Sequence, residues 1–141
     1  MNETELADLR LAFRVAGTIA PRTGLLLPCW LAQFDERRRP CTGRIEAFHF
    51  LGRQRVRNAL GALLPEPWPR EVGGETAQLL TLAEWDPRNA GPGCVGHHRR
   101  LDSHATPGLV VPGAALPARV HAYAEDWGLE SALERKYPVE P

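Results

Sequence analysis

The amino-acid sequence predicts a small α+β domain that is stabilised by a bound metal ion. Three observations support this fold class. Apolar residues recur at helical spacing near both ends of the chain, a central segment has the composition of a β-strand, and two groups of cysteine and histidine residues are separated by a long insert. A chain of 141 residues, 43% of them hydrophobic, suffices for one domain with a modest core.

The first predicted element is a short amphipathic helix over residues 3–16, because its leucines and phenylalanine lie close to helical spacing. Asn2 or Thr4 can cap its first turn. A proline and a glycine interrupt the pattern after this helix. An apolar run over residues 25–31 follows, and a charged turn over residues 35–40 comes next.

The central part of the chain is predicted to alternate between strand and helix. Residues 45–51 have strand composition, and residues 53–64 place four apolar side chains on one helical face and arginines on another. Prolines and glycines make residues 65–75 an exposed loop. Residues 76–85 resume an apolar character.

The C-terminal part is predicted to be mainly helical. A short helix is expected over residues 97–104, and the apolar residues 109–111 indicate an edge strand or extended segment. Leu116-Pro117 opens a further helix that ends at Gly128, and residues 129–137 add one or two helical turns. These C-terminal helices are expected to close the core, with a homodimer face as the alternative.

The charge is balanced overall but unevenly distributed. The net charge is +0, yet residues 37–100 carry eleven arginines against six acids. Three cysteines cannot all pair, no signal segment opens the chain, and no apolar run reaches about 18 residues, which is the length of a membrane span. We therefore expect a soluble, cytoplasmic protein that does not enter a membrane.

The cysteines and one histidine form a candidate zinc site. Cys94 and His97 have the spacing of one arm of a zinc knuckle, because two ligands across a tight turn can reach one tetrahedral ion. Cys41 is a natural third ligand and Cys29 a candidate fourth. The alternative for Cys29 is that it is a small buried apolar residue beside Trp30.

Two further groups have the chemistry of a hydrolytic site. His98 and Asp102 project from one face of a helix and can bind the same cation; alternatively they are solvated surface residues. His49 alternates with Phe48 and Phe50 on the predicted strand, so it faces a cleft if the phenylalanines enter the core. A histidine can deprotonate water near neutral pH, although a half-buried strand histidine with a backbone partner is the alternative.

The segment Asp86-Pro87-Arg88-Asn89, followed by Cys94-Val95-Gly96-His97-His98, resembles the HNH, or ββα-metal, nucleases, particularly small phage and bacterial forms with a Cys/His zinc site. The resemblance covers about residues 29–104. It implies an HNH-like ββα core with a zinc-stabilised frame and additional N- and C-terminal helices. It also implies a DNA endonuclease in the cytoplasm of a bacterial cell or phage-infected host.

The resemblance implies roles for individual residues. His49 would be the general base, Asn89 would orient it or its loop, and His98 with Asp102 would hold a catalytic Mg²⁺, Mn²⁺ or Ni²⁺ ion. One departure concerns Phe48, which stands where the family commonly has a metal ligand. Either water, Glu46 or His104 completes the site, or the chain is a degenerate module that binds nucleic acid or a protein partner. A structural zinc module of other ancestry is a third possibility.

We expect one domain over residues 1–141. It divides into a helix and lead-in over 1–28, an HNH-like core over 29–104 with an insert at 53–83, and a helical extension over 105–141. Basic residues on both sides of His49 could contact DNA phosphates by shape rather than by base reading. The candidates are Arg53, Arg55, Arg57 and Arg99, together with Arg37, Arg38 and Arg39.

Overall fold

Six α-helices and one two-stranded antiparallel sheet make up the described part of the chain. The structure is a computed structural model that describes residues 1–63, 75–102 and 108–139, without the side chains of residues 62, 63, 75, 76 and 102. The elements are α1 (Glu3–Thr18), β1 (Ile45–His49), α2 (Arg53–Leu63), α3 (Glu75–Glu84), β2 (Ala90–Cys94), α4 (Val95–Asp102), α5 (Ala118–Trp127) and α6 (Glu130–Lys136). The mixed helix and strand content agrees with the predicted α+β class.

Helix α1 begins where the sequence predicts and extends two residues beyond the predicted end. Asn2 caps it through a capping box, in which its side chain accepts a hydrogen bond from the Glu5 amide at 2.8 Å. Near the other end, a Cβ atom on Gly17 would lie 2.7 Å from the Cβ atom of Ala47 and 3.1 Å from that of Ala90. Because Gly17 has no side chain, α1 packs directly on one face of the sheet.

Strands β1 and β2 pair so that Ile45 lies opposite Cys94 and His49 lies opposite Ala90. Strand β2 has the sequence Ala-Gly-Pro-Gly-Cys, and all five residues are buried. Its glycines are required by the rings beside them. A Cβ atom on Gly91 would lie 2.6 Å from the ring of Phe50, so two phenylalanines occupy the space that side chains of β2 would take.

Helix α4 begins at Val95, immediately after β2 and two residues earlier than predicted. It packs against the face of the sheet opposite α1, where the His98 ring lies 5.8 Å from the Phe48 ring. Strand β1, strand β2 and α4 therefore form a ββα arrangement. The predicted continuation of α4 to residue 104 lies outside the described residues.

The other helices enclose a core next to this arrangement. Phe48 and Phe50 are both fully buried and belong to a core cluster with residues of α2, α3, α5 and α6. Gly128 adopts a left-handed conformation with φ of 70° and ends α5, which confirms the predicted stop. Residue 109 of the predicted extended segment pairs with Asp35 in an isolated bridge. Apart from residue 75, which begins α3, the predicted 65–75 loop lies outside the described residues.

Among the described residues, no helix has both the length and the apolar character that crossing a membrane requires.

Candidate functional site

Two loops, the end of a strand and one helix turn bring four potential metal ligands together. Cys29 precedes a short 3₁₀ turn, Cys41 precedes β1, Cys94 ends β2, and His97 lies in the first turn of α4. Backbone hydrogen bonds hold these segments in place: the Trp30 amide donates to the carbonyl of Pro92, and the Gly96 amide donates to that of Thr42. The Cys41 segment and the Cys29 segment are thereby fixed to the β2–α4 junction.

The four ligand atoms lie within 4.8 Å of one another. The Nδ1 atom of His97 is 3.0 Å from the sulfur of Cys94, 3.7 Å from that of Cys41 and 3.9 Å from that of Cys29. A tetrahedral ion with sulfur and nitrogen ligands separates them by roughly 3.6 Å, given bond lengths of about 2.3 and 2.0–2.1 Å. Cys29, Cys41, Cys94 and His97 could therefore bind one metal ion, and Cys29 belongs to the group.

Asp35 fixes the orientation of the His97 ring. Its Oδ2 atom lies 3.1 Å from Nε2 of His97, and both side chains are fully buried. The same carboxylate accepts two hydrogen bonds from the Arg39 guanidinium and one from the Arg37 amide. A proton on Nε2 leaves Nδ1 with its lone pair toward the three sulfurs, which is the tautomer that a metal ligand needs.

Hydrogen bonds stabilise the charged forms of two groups at this centre. The Arg39 guanidinium holds the pKa of Asp35 well below its usual range, despite burial of the carboxyl group. Burial raises the pKa of the Cys94 thiol, but hydrogen bonds from the backbone of His97 and Thr42 outweigh this effect and lower it to about 6. A thiol with this pKa is largely thiolate at neutral pH, and the thiolate is the form that binds metals.

His98 pairs with a carboxylate of the facing strand. Its Nδ1 atom lies 2.6 Å from Oε1 of Glu46, and both side chains are part-exposed. Phe48, whose position was the departure from the family pattern, is fully buried and packs in the core. Strand β1 therefore places the carboxylate of Glu46, and not the side chain of Phe48, within bonding distance of the His98 ring nitrogen.

His49 packs on the α1 side of β1. Its ring stacks on Phe13 at 4.2 Å and meets the edge of Trp85 at 5.1 Å. The ring is half-buried and its Nε2 atom is buried. Because strand residues alternate, His49 faces α1, whereas Glu46 faces α4 and contacts His98 of that helix. The two faces meet at the free edge of β1, where a groove is lined by both Glu46 and His49.

Asn89 binds the segment that follows His49. Its side-chain oxygen accepts from the Leu51 amide at 2.9 Å, and its side-chain nitrogen donates to the Leu51 carbonyl at 2.9 Å. The Phe50 amide also donates to the Asn89 carbonyl at 2.9 Å. The fully buried Asn89 therefore fixes the end of β1 against the start of β2.

The remaining predicted site residues lie elsewhere. Arg53 and Arg57 both form ion pairs with the buried Glu84, so the two guanidinium groups share one carboxylate charge within the protein. Arg99 is exposed on α4 and Arg55 is part-exposed on α2. The side chain of Asp102 and the whole of His104 fall outside the described residues, so their predicted metal contacts remain predictions.

Sequence reasoning missed one residue of this site and gave another only as an alternative. Asp35 was placed in a charged turn, and no local signal distinguishes it from its exposed neighbours, because its partner His97 is 62 residues away. Glu46 was named only as an alternative ligand. Glu46 shares a face of β1 with Phe48 and is 52 residues from His98 along the chain, so its contact with His98 becomes evident only when the strand and α4 are packed together.

A scan against protein-family models, a search of curated proteins and a search of solved structures each found no match for this chain.

Proposed function

We propose that this chain is a metal-dependent, HNH-like endonuclease that hydrolyses DNA phosphodiester bonds. The observation that carries the proposal is the ββα arrangement of β1, β2 and α4. His49 lies on β1 and His98 lies on α4, while Asn89 precedes β2 and bonds to the backbone that follows β1. The hydrogen bonds from Asn89 to Leu51 support the role expected of the family's asparagine, since they fix the backbone two residues beyond His49.

The proposal assigns a structural zinc ion to Cys29, Cys41, Cys94 and His97. Three thiols and one imidazole form a soft donor set that favours zinc over magnesium or calcium, and four protein ligands leave no open position for a substrate. Zinc at this position would join the Cys29 loop, the Cys41 loop and α4. It would thus support the hydrolytic residues without touching the substrate.

A second divalent ion, Mg²⁺, Mn²⁺ or Ni²⁺, is assigned to Glu46 and His98, with Asp102 as the further ligand expected from the resemblance. The 2.6 Å separation of their side-chain atoms supports this assignment, because a carboxylate and an imidazole so close together can bind one ion with little rearrangement. Such an ion would stabilise negative charge on the scissile phosphate and the leaving oxygen. Glu46 is thereby assigned the metal-ligand role that the apolar side chain of Phe48 cannot fill.

His49 is assigned the role of proton acceptor for the attacking water. It lines the groove at the edge of β1 together with Glu46, which supports this role. Arg99 and Arg55 remain candidate DNA contacts under this proposal.

A second candidate function is a degenerate module of the same fold that binds DNA or a protein partner without cleaving. Two observations favour it: Phe48 is fully buried at a ligand position, and His49 is stacked against Phe13. In this account the Glu46–His98 pair is a surface ion pair of small energetic value.

A plasmid-nicking assay separates the two functions. Zinc-loaded protein is incubated with supercoiled DNA and magnesium, manganese or nickel. Wild type and the His121→Ala variant, which alters an exposed histidine on α5, should nick at the same rate. His49→Ala and His98→Ala should each lose about 100-fold or more, as expected for removal of a general base or a metal ligand. Full activity in either variant overturns the nuclease assignment, and no nicking by wild type with any of the metals favours the degenerate module.

A further inference from the structure

A groove runs between α1 and β1, beside the proposed hydrolytic residues. It has a volume of about 680 Å³ and is open to solvent. The polar and aromatic residues of its lining that matter here are Arg10, Arg14, Thr18, Arg44, His49 and Trp85. The sequence analysis assigned no functional residue to α1.

Three arginines line this groove from two sides. Arg10 and Arg14 are four residues apart on α1, so their side chains leave the same face of the helix. Arg44 immediately precedes β1 and approaches from the sheet. All three residues are exposed. The groove therefore carries a concentrated positive charge, and Glu46, its one acidic lining residue, is engaged with His98.

These three arginines differ from the arginines that serve the fold. Arg39, Arg53, Arg57 and Arg88 each form an ion pair with an aspartate or glutamate. Within the part of the chain that the structure describes, Arg10, Arg14 and Arg44 form no ion pair. Their charges are available to an anionic ligand, whereas Arg53 and Arg57 are oriented toward Glu84 and share its one negative charge.

Arg10 is also held in place before any ligand arrives. Its guanidinium carbon lies 5.1 Å from the ring centroid of Trp85, which is a cation–π distance. The same tryptophan meets the edge of His49. An arginine held in this way loses less side-chain entropy when it binds a phosphate, because part of its freedom is already restricted.

We propose that this groove binds the phosphodiester backbone of DNA, with Arg10, Arg14 and Arg44 contacting successive phosphates and guiding the strand toward His49. A guanidinium group matches the geometry of a phosphate with two parallel hydrogen bonds, and it keeps its charge at every relevant pH. This inference rests on the proposed nuclease function for the direction of the strand, but DNA binding itself can be measured without cleavage. It moves the main DNA contact from the predicted Arg53 and Arg57 to α1.

Binding is tested by fluorescence anisotropy of labelled 20-nucleotide DNA, single-stranded and duplex, at several salt concentrations and without added divalent metal. The variants are Arg10→Gln/Arg14→Gln and, independently, Arg44→Gln. Arg22→Gln/Arg135→Gln is the matched control, because it removes the same charge from exposed positions that do not line the groove. Circular dichroism confirms that every variant keeps the wild-type fold.

The groove double variant should bind at least about 10-fold more weakly than wild type at 0.1 M salt. The slope of log K against log salt should fall by roughly 1.8 for duplex or 1.4 for single strands, as two phosphate contacts are lost. Arg44→Gln should lower the slope by about half as much, and the control should shift neither quantity. Equal affinity for the groove double variant and the control would overturn the inference, as would absence of wild-type binding at low salt. DNA binding that persists in a protein unable to nick would contradict the nuclease function alone.

Discussion

Asp35 is expected to control the affinity of the Cys/His centre for its metal without being a ligand itself. Its carboxylate accepts from Nε2 of His97 at 3.1 Å and from the Arg39 guanidinium through both oxygens at 2.9 Å. In Asp35→Asn, one oxygen remains to accept a hydrogen bond. The new amide nitrogen faces the N–H groups of His97 and Arg39 and cannot accept from them. In Asp35→Ala, the His97 ring loses its partner entirely and the Arg39 charge loses its counter-ion.

Loss of a residue that orients a metal ligand typically weakens metal binding about 10- to 100-fold. We therefore expect Asp35→Asn near the lower end of this range and Asp35→Ala near the upper end. The affinity is measured by competition for zinc with a chromophoric chelator. Asp86→Asn is the matched control, because Asp86 also pairs with an arginine but bonds to none of the four ligands. Wild-type zinc affinity in Asp35→Ala would refute the role given to this carboxylate.

Three other predictions concern the frame around the site. Asn89→Ala should reduce the free energy of unfolding by roughly 2–5 kcal/mol in urea denaturation, since it leaves the buried amide and carbonyl of Leu51 without partners; a loss below about 0.5 kcal/mol would contradict this. Gly91→Ala should cost about 1–3 kcal/mol in the same assay, because its Cβ atom would lie 2.6 Å from the Phe50 ring, and an unchanged midpoint would show that the strand can shift. Burial opposes ionisation of Asp86, but hydrogen bonds from an arginine and a tryptophan lower its pKa in the folded protein below the ordinary value of 3.8. Asp86 should therefore stabilise the fold above pH 3.8, and this contribution should be lost as the pH falls through the lower folded pKa. The unfolding free energies of wild type and Asp86→Asn should converge in acid, and a constant difference between them would argue against the shift.

The elements with local signals could be predicted from the sequence. Helix α1 carries its own cap at Asn2 and its own apolar spacing, and α5 ends at Gly128, where a left-handed conformation favours glycine. The candidate metal ligands Cys41, Cys94 and His97 were also predicted from spacing and residue type. These signals are contained within a few residues of the chain, so they need no knowledge of tertiary contacts.

Strand β2 gave no such signal. Glycine and proline are depleted in strands, and three of its five residues are glycine or proline. It forms a strand because the rings of Phe48 and Phe50 occupy the positions of its missing side chains. Its conformation is therefore decided by the neighbouring strand and not by its own composition.

The partners of the ion pairs could not be predicted from the sequence either. Arg57 and Glu84 are 27 residues apart, and the insert between them gives no indication that they meet. For this reason the sequence assigned Arg53 and Arg57 to DNA, whereas the structure pairs them with Glu84 and leaves Arg10 and Arg14 beside the groove. Only the packing of α1 on the sheet brings those two arginines near His49.

The account depends most directly on the metal at Cys29, Cys41, Cys94 and His97. We would measure the metal content of protein purified without added metals by elemental mass spectrometry, for wild type and for Cys41→Ser. The account predicts one zinc per wild-type chain and a large loss of zinc in the variant. Wild-type protein that is folded and contains no metal, or a Cys41→Ser variant that keeps its full zinc content, would contradict it.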